Sequence, residues 1–310
     1  MRRNNIALSF LAVVLAAGFS VRSCPPRVRA SHLLPTVAFS KESVKSRDAI
    51  LQNSNGRNAR KSAEKIVSQI QRADYEGDRD ALKRLFDEME KFADDQSIGS
   101  KVRYWRGFAM WRRAFNGTSA SGNELELDLQ LAVREFDMAI GADPAFIDAK
   151  VAEASCLQNL GALRFIANDL APAREFMQRS FPLLKDAEAA QPNNPRLLWV
   201  LGAYQFYNPA KVGGGQALAI ETYHKGLMAF RASNSKTSDA LTPSWGEPEL
   251  LMSLAFSNLN KKTPEPAVAE HYAQRALALV PYWHYVRDQL LPQIKDALNR
   301  NANESRTSPQ

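Results

Sequence analysis

The chain has 310 residues, 45% of them apolar, with 40 basic against 33 acidic side chains and a formal net charge of +7. This composition suits a large folded body and excludes the collagen and coiled-coil classes, and two cysteines exclude a disulfide framework. The basic excess is no nucleic-acid footprint: Arg2, Arg3 and Arg22 lie in a leader whose removal lowers +7 to +4, and much of the remainder precedes Lys65 instead of lining one ordered face.

Residues 1–23 read as a signal peptide. Arg2-Arg3 supplies the positive start, and an apolar run from Ile6 to Phe19 follows, too short to span a membrane. Small residues Ala16, Ala17, Gly18 and Ser20 place cleavage between Ser20 and Ser23, with Val28-Arg29-Ala30 as a second site. Cys24 offers a lipid-attachment reading, in which the membrane becomes a partner, but Arg22 fits that signal poorly. An organelle transit peptide is the rival address, because no acidic residue precedes Glu42; the compact apolar run favours export to the periplasm or medium. Residues 24–60 are rich in Pro, Ser and Asn and read as a disordered linker.

Residues 61–298 carry helical periodicity with short breaks of turn chemistry such as Gly77-Asp78, Asp143-Pro144, Gln191-Pro192 and Val280-Pro281. The predicted helices are 62–75, 79–93, 99–115, 125–141, 146–160, 169–190, 194–207, 215–231, 247–259, 266–279 and 281–298. Short connections make neighbouring helices antiparallel. Residues 299–310 form a polar tail, expected to be disordered.

The segments resemble one another. Ala132-x3-Phe136-x2-Ala139-x4-Pro144 matches Ala269-x3-Ala273-x2-Ala276-x4-Pro281; Ala187-x4-Pro192 and Ala219-x3-Tyr223-x2-Gly226-Leu227 keep parts of the pattern. The paired first helices carry Trp105-Phe108-Ala109, Leu198-Leu201-Gly202 and Leu251-Leu254-Ala255. Small residues at Ala132, Ala139 and Gly202 let helices approach, Phe136 or Tyr223 fills the gap beside them, and the proline ends the unit. One pair cannot bury its apolar face alone, so pairs stack. These residues resemble the tetratricopeptide repeat family, well over about Asp128 to Tyr282 and only as a helix pair over Ser62 to Phe92. Inserts at Asn116–Asp128 and Asn208–Gly215 and a long helix 169–190 make the array irregular. The resemblance implies an all-α solenoid of stacked antiparallel helix pairs, whose concave face binds peptides or protein segments and which has no enzyme activity.

Chemistry-bearing motifs are sparse. His32, His224, His271 and His284 lack metal-ligand spacing, and Cys156 sits in an apolar pattern that suits a buried thiol. Gly213-Gly214-Gly215 precedes a helix, but Gln216-Ala217 replaces the Lys-Ser/Thr of a phosphate loop; beside Lys211 it leaves an anion site open against a flexible insert. Glu124, Glu126 and Asp128, like Asp78 and Asp80, stand where helix starts favour negative charge. No cofactor, metal or catalytic site is predicted.

Placing the first helix of each pair along the groove gives a candidate peptide-binding face. It comprises Arg103, Arg106, Met110 and Arg113 on one helix, then Asp148, Ser155, Gln158 and Asn159, then Arg196, Trp199, Ala203 and Phe206. A shifted register presents Lys101, Tyr104, Phe108 and Trp111 instead, and core packing competes with ligand contact for Trp199 and Phe206. Trp283, Val286 and Leu290 mark the last helix as a cap. The expected function is an exported scaffold holding a protein or peptide; the alternative is a small-ligand receptor or the helical component of a transport system.

Overall fold

Ala139, Ala187 and Ala276 are fully buried, and each stands five residues before a proline. Their carbonyls accept the same closing hydrogen bond, from the N–H of Asp143, Gln191 and Val280 at 2.9, 2.8 and 3.0 Å. Those three residues each open a turn closed by the N–H of Phe146, Asn194 or Trp283 at 3.0, 2.9 and 3.1 Å, with proline in the second position where its fixed φ fits. One local device thus reverses the chain three times. At the second of these turns Asn194 then caps the next helix, accepting from Arg196 and Leu197 N–H, and Pro195 takes the first helical position.

The computed structural model describes residues 42–116, 122–233 and 239–307. Among them are eleven α-helices: α1 Glu42–Glu76, α2 Arg79–Glu88, α3 Gly99–Phe115, α4 Gly122–Ala142, α5 Ile147–Ile166, α6 Leu170–Ala190, α7 Pro195–Tyr207, α8 Gln216–Ser233, α9 Glu247–Asn260, α10 Pro266–Leu279 and α11 Leu291–Thr307. A 3-10 turn, Met89–Phe92, extends α2, and a π turn, Val286–Leu290, leads into α11. No strand occurs among the described residues, and none of their helices is long and apolar enough to cross a membrane.

Helices pack chiefly on their chain neighbours, and α1, α3, α5, α7 and α9 also touch one another in succession. They form the inner layer of an α-solenoid, with the even-numbered helices outside. Small-against-aromatic packing is present: the Gly202–Tyr223 contact is the expected one, while the partner of Phe136 is Gly107, which the repeat pattern does not single out. Phe136 of α4 lies against Gly107 of α3, where an added Cβ would come within 2.8 Å of the ring, and Tyr223 of α8 lies against Gly202 of α7 in the same way. Stacking is uneven: α6, the long helix, leans little on α7.

Two boundaries differ from expectation. The linker expected over 24–60 is helical from Glu42 onward as part of α1, and the polar tail continues α11 to Thr307. The added turns are rich in Ser and Asn, weak helix formers in isolation, and they continue helices that packing nucleates elsewhere along their length. The leader, Cys24 and His32 lie outside the described residues.

Candidate functional site

α3 buries almost every residue, Arg103, Arg106 and Arg112 among them, so both of its faces are covered. Toward the inner side it presents Lys101, Tyr104, Trp105, Phe108 and Trp111. What covers them is the connection between α8 and α9. Residues 239–246, the strap, begin as a turn at Asp239, whose carboxylate accepts from Leu241 N–H, and continue as irregular chain to Gly246.

The strap is gripped along its length. Asp239 pairs with Arg60 of α1 and Lys101 of α3. Partial burial works against its charge, yet hydrogen bonds from Lys101, Leu241 N–H and Thr242 hold the carboxyl down at about 2. Leu241 is fully buried, and its carbonyl accepts from Trp105 Nε1 at 2.8 Å. Trp245 fills the centre. Its Nε1 donates to the Tyr104 hydroxyl at 2.8 Å, and its ring meets Phe108, Trp111 and Trp199 with centroids 5.6, 5.9 and 5.5 Å away. Its carbonyl accepts from Arg196 Nη1 at 3.1 Å. Gly246 then turns the chain into α9 at φ +144°, a conformation that favours glycine.

Beside the strap the last helices return to the first. Tyr75 of α1 donates to Glu249 of α9 at 2.6 Å, and its ring packs edge-on to Trp283 at 5.0 Å. Arg112 of α3 donates to Asp74 at 2.8 Å, and Asn116 donates to the same carboxylate at 2.9 Å. Glu249 is 1% exposed; burial pushes its carboxyl up, against the pull of Tyr75 and Arg112. His284 lies over Gly77, the left-handed residue ending α1, which leaves no room there for a Cβ.

The register assigned to α3 from sequence is corrected. Arg103, Arg106 and Arg113 face α2 and α4. Arg103 and Arg106 share the buried carboxylate of Glu135 at 3.2 and 2.9 Å, and Arg106 also donates to the Phe86 carbonyl at 2.8 Å. Arg113 holds Asp128 through contacts of 2.6 and 2.7 Å and Glu124 at 2.8 Å. Met110 is fully buried. Asp148 and Arg196 pair at 2.6 Å, joining α5 to α7, with Asn194 donating to Asp148 at 2.9 Å. Gln158 is buried with its Nε2 unpartnered, and Asn159 donates to the Ser155 carbonyl of its own helix. Trp199 donates to Ser253 Oγ at 2.9 Å, and Phe206 packs on Tyr207 and Phe256. Of the nine residues expected to hold a ligand, Arg196 and Trp199 reach the strap. The groove residues are those of the shifted register, joined by Trp105 and Arg60.

The glycine run is ordered by its own chain. Gly213, Gly214 and Gly215 N–H donate to the carbonyls of Ala210, Pro209 and Gln205 at 3.0, 3.1 and 2.8 Å, so the three glycine N–H groups are engaged within the loop. Asp78 caps α2 by accepting from Ala81 N–H at 2.9 Å. His224, His271 and His284 stand apart on three elements, and the described residues hold no metal-competent cluster of His, Cys, Asp and Glu. Cys156 is fully buried, which pushes its thiol up.

Fold and site together define a class: an all-α helical-repeat protein whose inner groove is occupied by a segment of the same chain. No protein-family model, curated protein or solved structure matches this chain.

Proposed function

We propose that the protein is an exported scaffold of the tetratricopeptide type that binds a protein or peptide partner through its inner helix faces. One observation carries this reading. The groove holds a stretch of non-helical polypeptide by its backbone as well as its side chains, through Trp105 Nε1 to the Leu241 carbonyl and Arg196 Nη1 to the Trp245 carbonyl. Donors aimed at main-chain oxygens beside an aromatic socket are the chemistry of peptide recognition, not of catalysis. The signal-peptide pattern of residues 1–23 supports a site of action outside the cytoplasm, and a lipid on Cys24 would tether the scaffold there.

Site-directed photocrosslinking tests the reading. A benzophenone side chain at Ser100, partly exposed and next to Lys101 on α3, should trap a partner from an extract of the source cells. The same probe at Met228, 67% exposed on α8, should not. Adducts at Met228 alone, or none at either position, overturn the proposal.

A further inference from the structure

The strap shows which chemistry the groove selects. Its Asp239 meets two cations, Arg60 and Lys101; its Leu241, two residues on, is fully enclosed; its Trp245, four further, enters a socket of Tyr104, Phe108, Trp111 and Trp199. The spacing is fixed by the helices beneath. Lys101, Trp105, Phe108 and Trp111 stand on successive turns of α3, and Arg196 of α7 holds the far end. Most of the groove's polar groups that touch the strap touch it at carbonyl or carboxylate oxygens; between the anchors Thr242 Oγ1 accepts from Lys101 at 3.2 Å and Pro243 is buried, which leaves the exposed Ala240 and Ser244 as the positions free to vary.

We infer that the inner groove is a recognition site for acidic-x-aliphatic-x3-tryptophan segments, and that the strap is its resident occupant. The partner is a protein carrying that pattern in a non-helical stretch, and it engages the groove by taking the strap's place. This rests on the scaffold reading and adds the partner's chemistry to it. Because the strap is tethered, it competes at an effective concentration in the millimolar range, and a free segment binds the intact chain about 100-fold or more weaker than it binds a chain with the strap disabled. The strap is therefore a built-in threshold: segments with one or two of the three anchors fail against it.

The test uses the full chain with residues 239–245 replaced by an equally long Gly-Ser stretch, and a fluorescent peptide Asp-Ala-Leu-Thr-Pro-Ser-Trp-Gly, the strap itself. Fluorescence polarisation should show saturable binding, lost when the peptide's Asp is replaced by Lys or its Trp by Ala, and at least 100-fold weaker on the unaltered chain. A helical variant that ignores the peptide overturns the inference. Should the replacement leave the chain unfolded, restoration of its helical circular-dichroism signal by the peptide supports it. In that case Leu241→Ala supplies a second measure: it should bind the peptide at least tenfold tighter than wild type, and an unfolded replacement that the peptide does not restore, with no gain in Leu241→Ala, overturns it. Peptide binding without any crosslinked partner would leave the recognition site standing and remove the scaffold function. A crosslinked partner with no peptide binding would do the reverse.

Discussion

Arg106 is 3% exposed, with Glu135 on one side and the Phe86 ring 4.1 Å away on another. A charge so enclosed is tolerable because Glu135, itself 4% exposed, answers it. Arg106→Ala strands that carboxylate with Arg103 as its remaining cation, and the expected loss is about 3 kcal/mol in urea unfolding. Replacing Arg106 and Glu135 together by Met and Leu should recover most of it; a double variant as unstable as the single would mean that packing, not charge pairing, dominates. Glu153 is the opposite case. Burial, then repulsion from Asp137, pushes its carboxyl up to about 7 against the attraction of Arg179. The folded chain therefore binds a proton that the unfolded chain, near 4.5, has released, so stability falls as pH rises from about 4.5 to about 7 and is level outside that window. Glu153→Gln should flatten this slope and stabilise the protein at pH 8 by on the order of 2–3 kcal/mol, read as the urea midpoint across pH.

At the scale of the element, what the sequence made legible was the contact that recurs. The Ala-x4-Pro spacing and the small-against-aromatic pairs survive because they are short-range: a proline five residues beyond a buried alanine builds the same turn wherever it occurs. Gly202→Ala drives a methyl into the Tyr223 ring, and Ala139→Leu adds volume at a fully buried position. Each should cost about 1–3 kcal/mol, measured by chemical denaturation, and a neutral result at either would mean the helix pair has slack that the packing does not show. The groove register was not legible, for a reason that lies in α3 itself. A helix covered on both sides gives no single apolar stripe, so Arg103, Arg106 and Arg113 form as regular a row as Lys101, Tyr104, Phe108 and Trp111. The row that is buried in ion pairs could be told from the row that faces the strap only by knowing where Glu135, Asp94 and Asp128 stand. A signal did exist elsewhere. The stretch between predicted helices 215–231 and 247–259 is long for a helical array and holds Leu241, Pro243 and Trp245, costly residues to leave in water.

Taken as a whole molecule, the chain departs from an open array, in which each unit answers only to its neighbours. Tyr75, Glu249 and Trp283 tie the first helix to the last ones, and the strap ties α3 and α7 to the α8–α9 connection. Tyr75→Phe removes the hydroxyl that answers a fully buried carboxylate, and about 2 kcal/mol should go with it. Hydrogen exchange reports where that loss falls. Protection should drop in α1 and in α9 through α11 together; a drop confined to α1 would show that the two ends are neighbours without being coupled.

The strap also fixes an order of events in time. Trp105, Phe108, Trp111 and Trp199 all leave the ribosome before Trp245 does, and Trp105 precedes its carbonyl partner Leu241 by 136 residues. A chain made from its N-terminus carries this aromatic wall without its strap from the synthesis of Trp111 to that of Trp245, with Phe136 and Phe146 covering part of it. A protein built this way needs either a companion that shields the wall or passage across a membrane before folding begins, and the leader expected at residues 1–23 would supply the second.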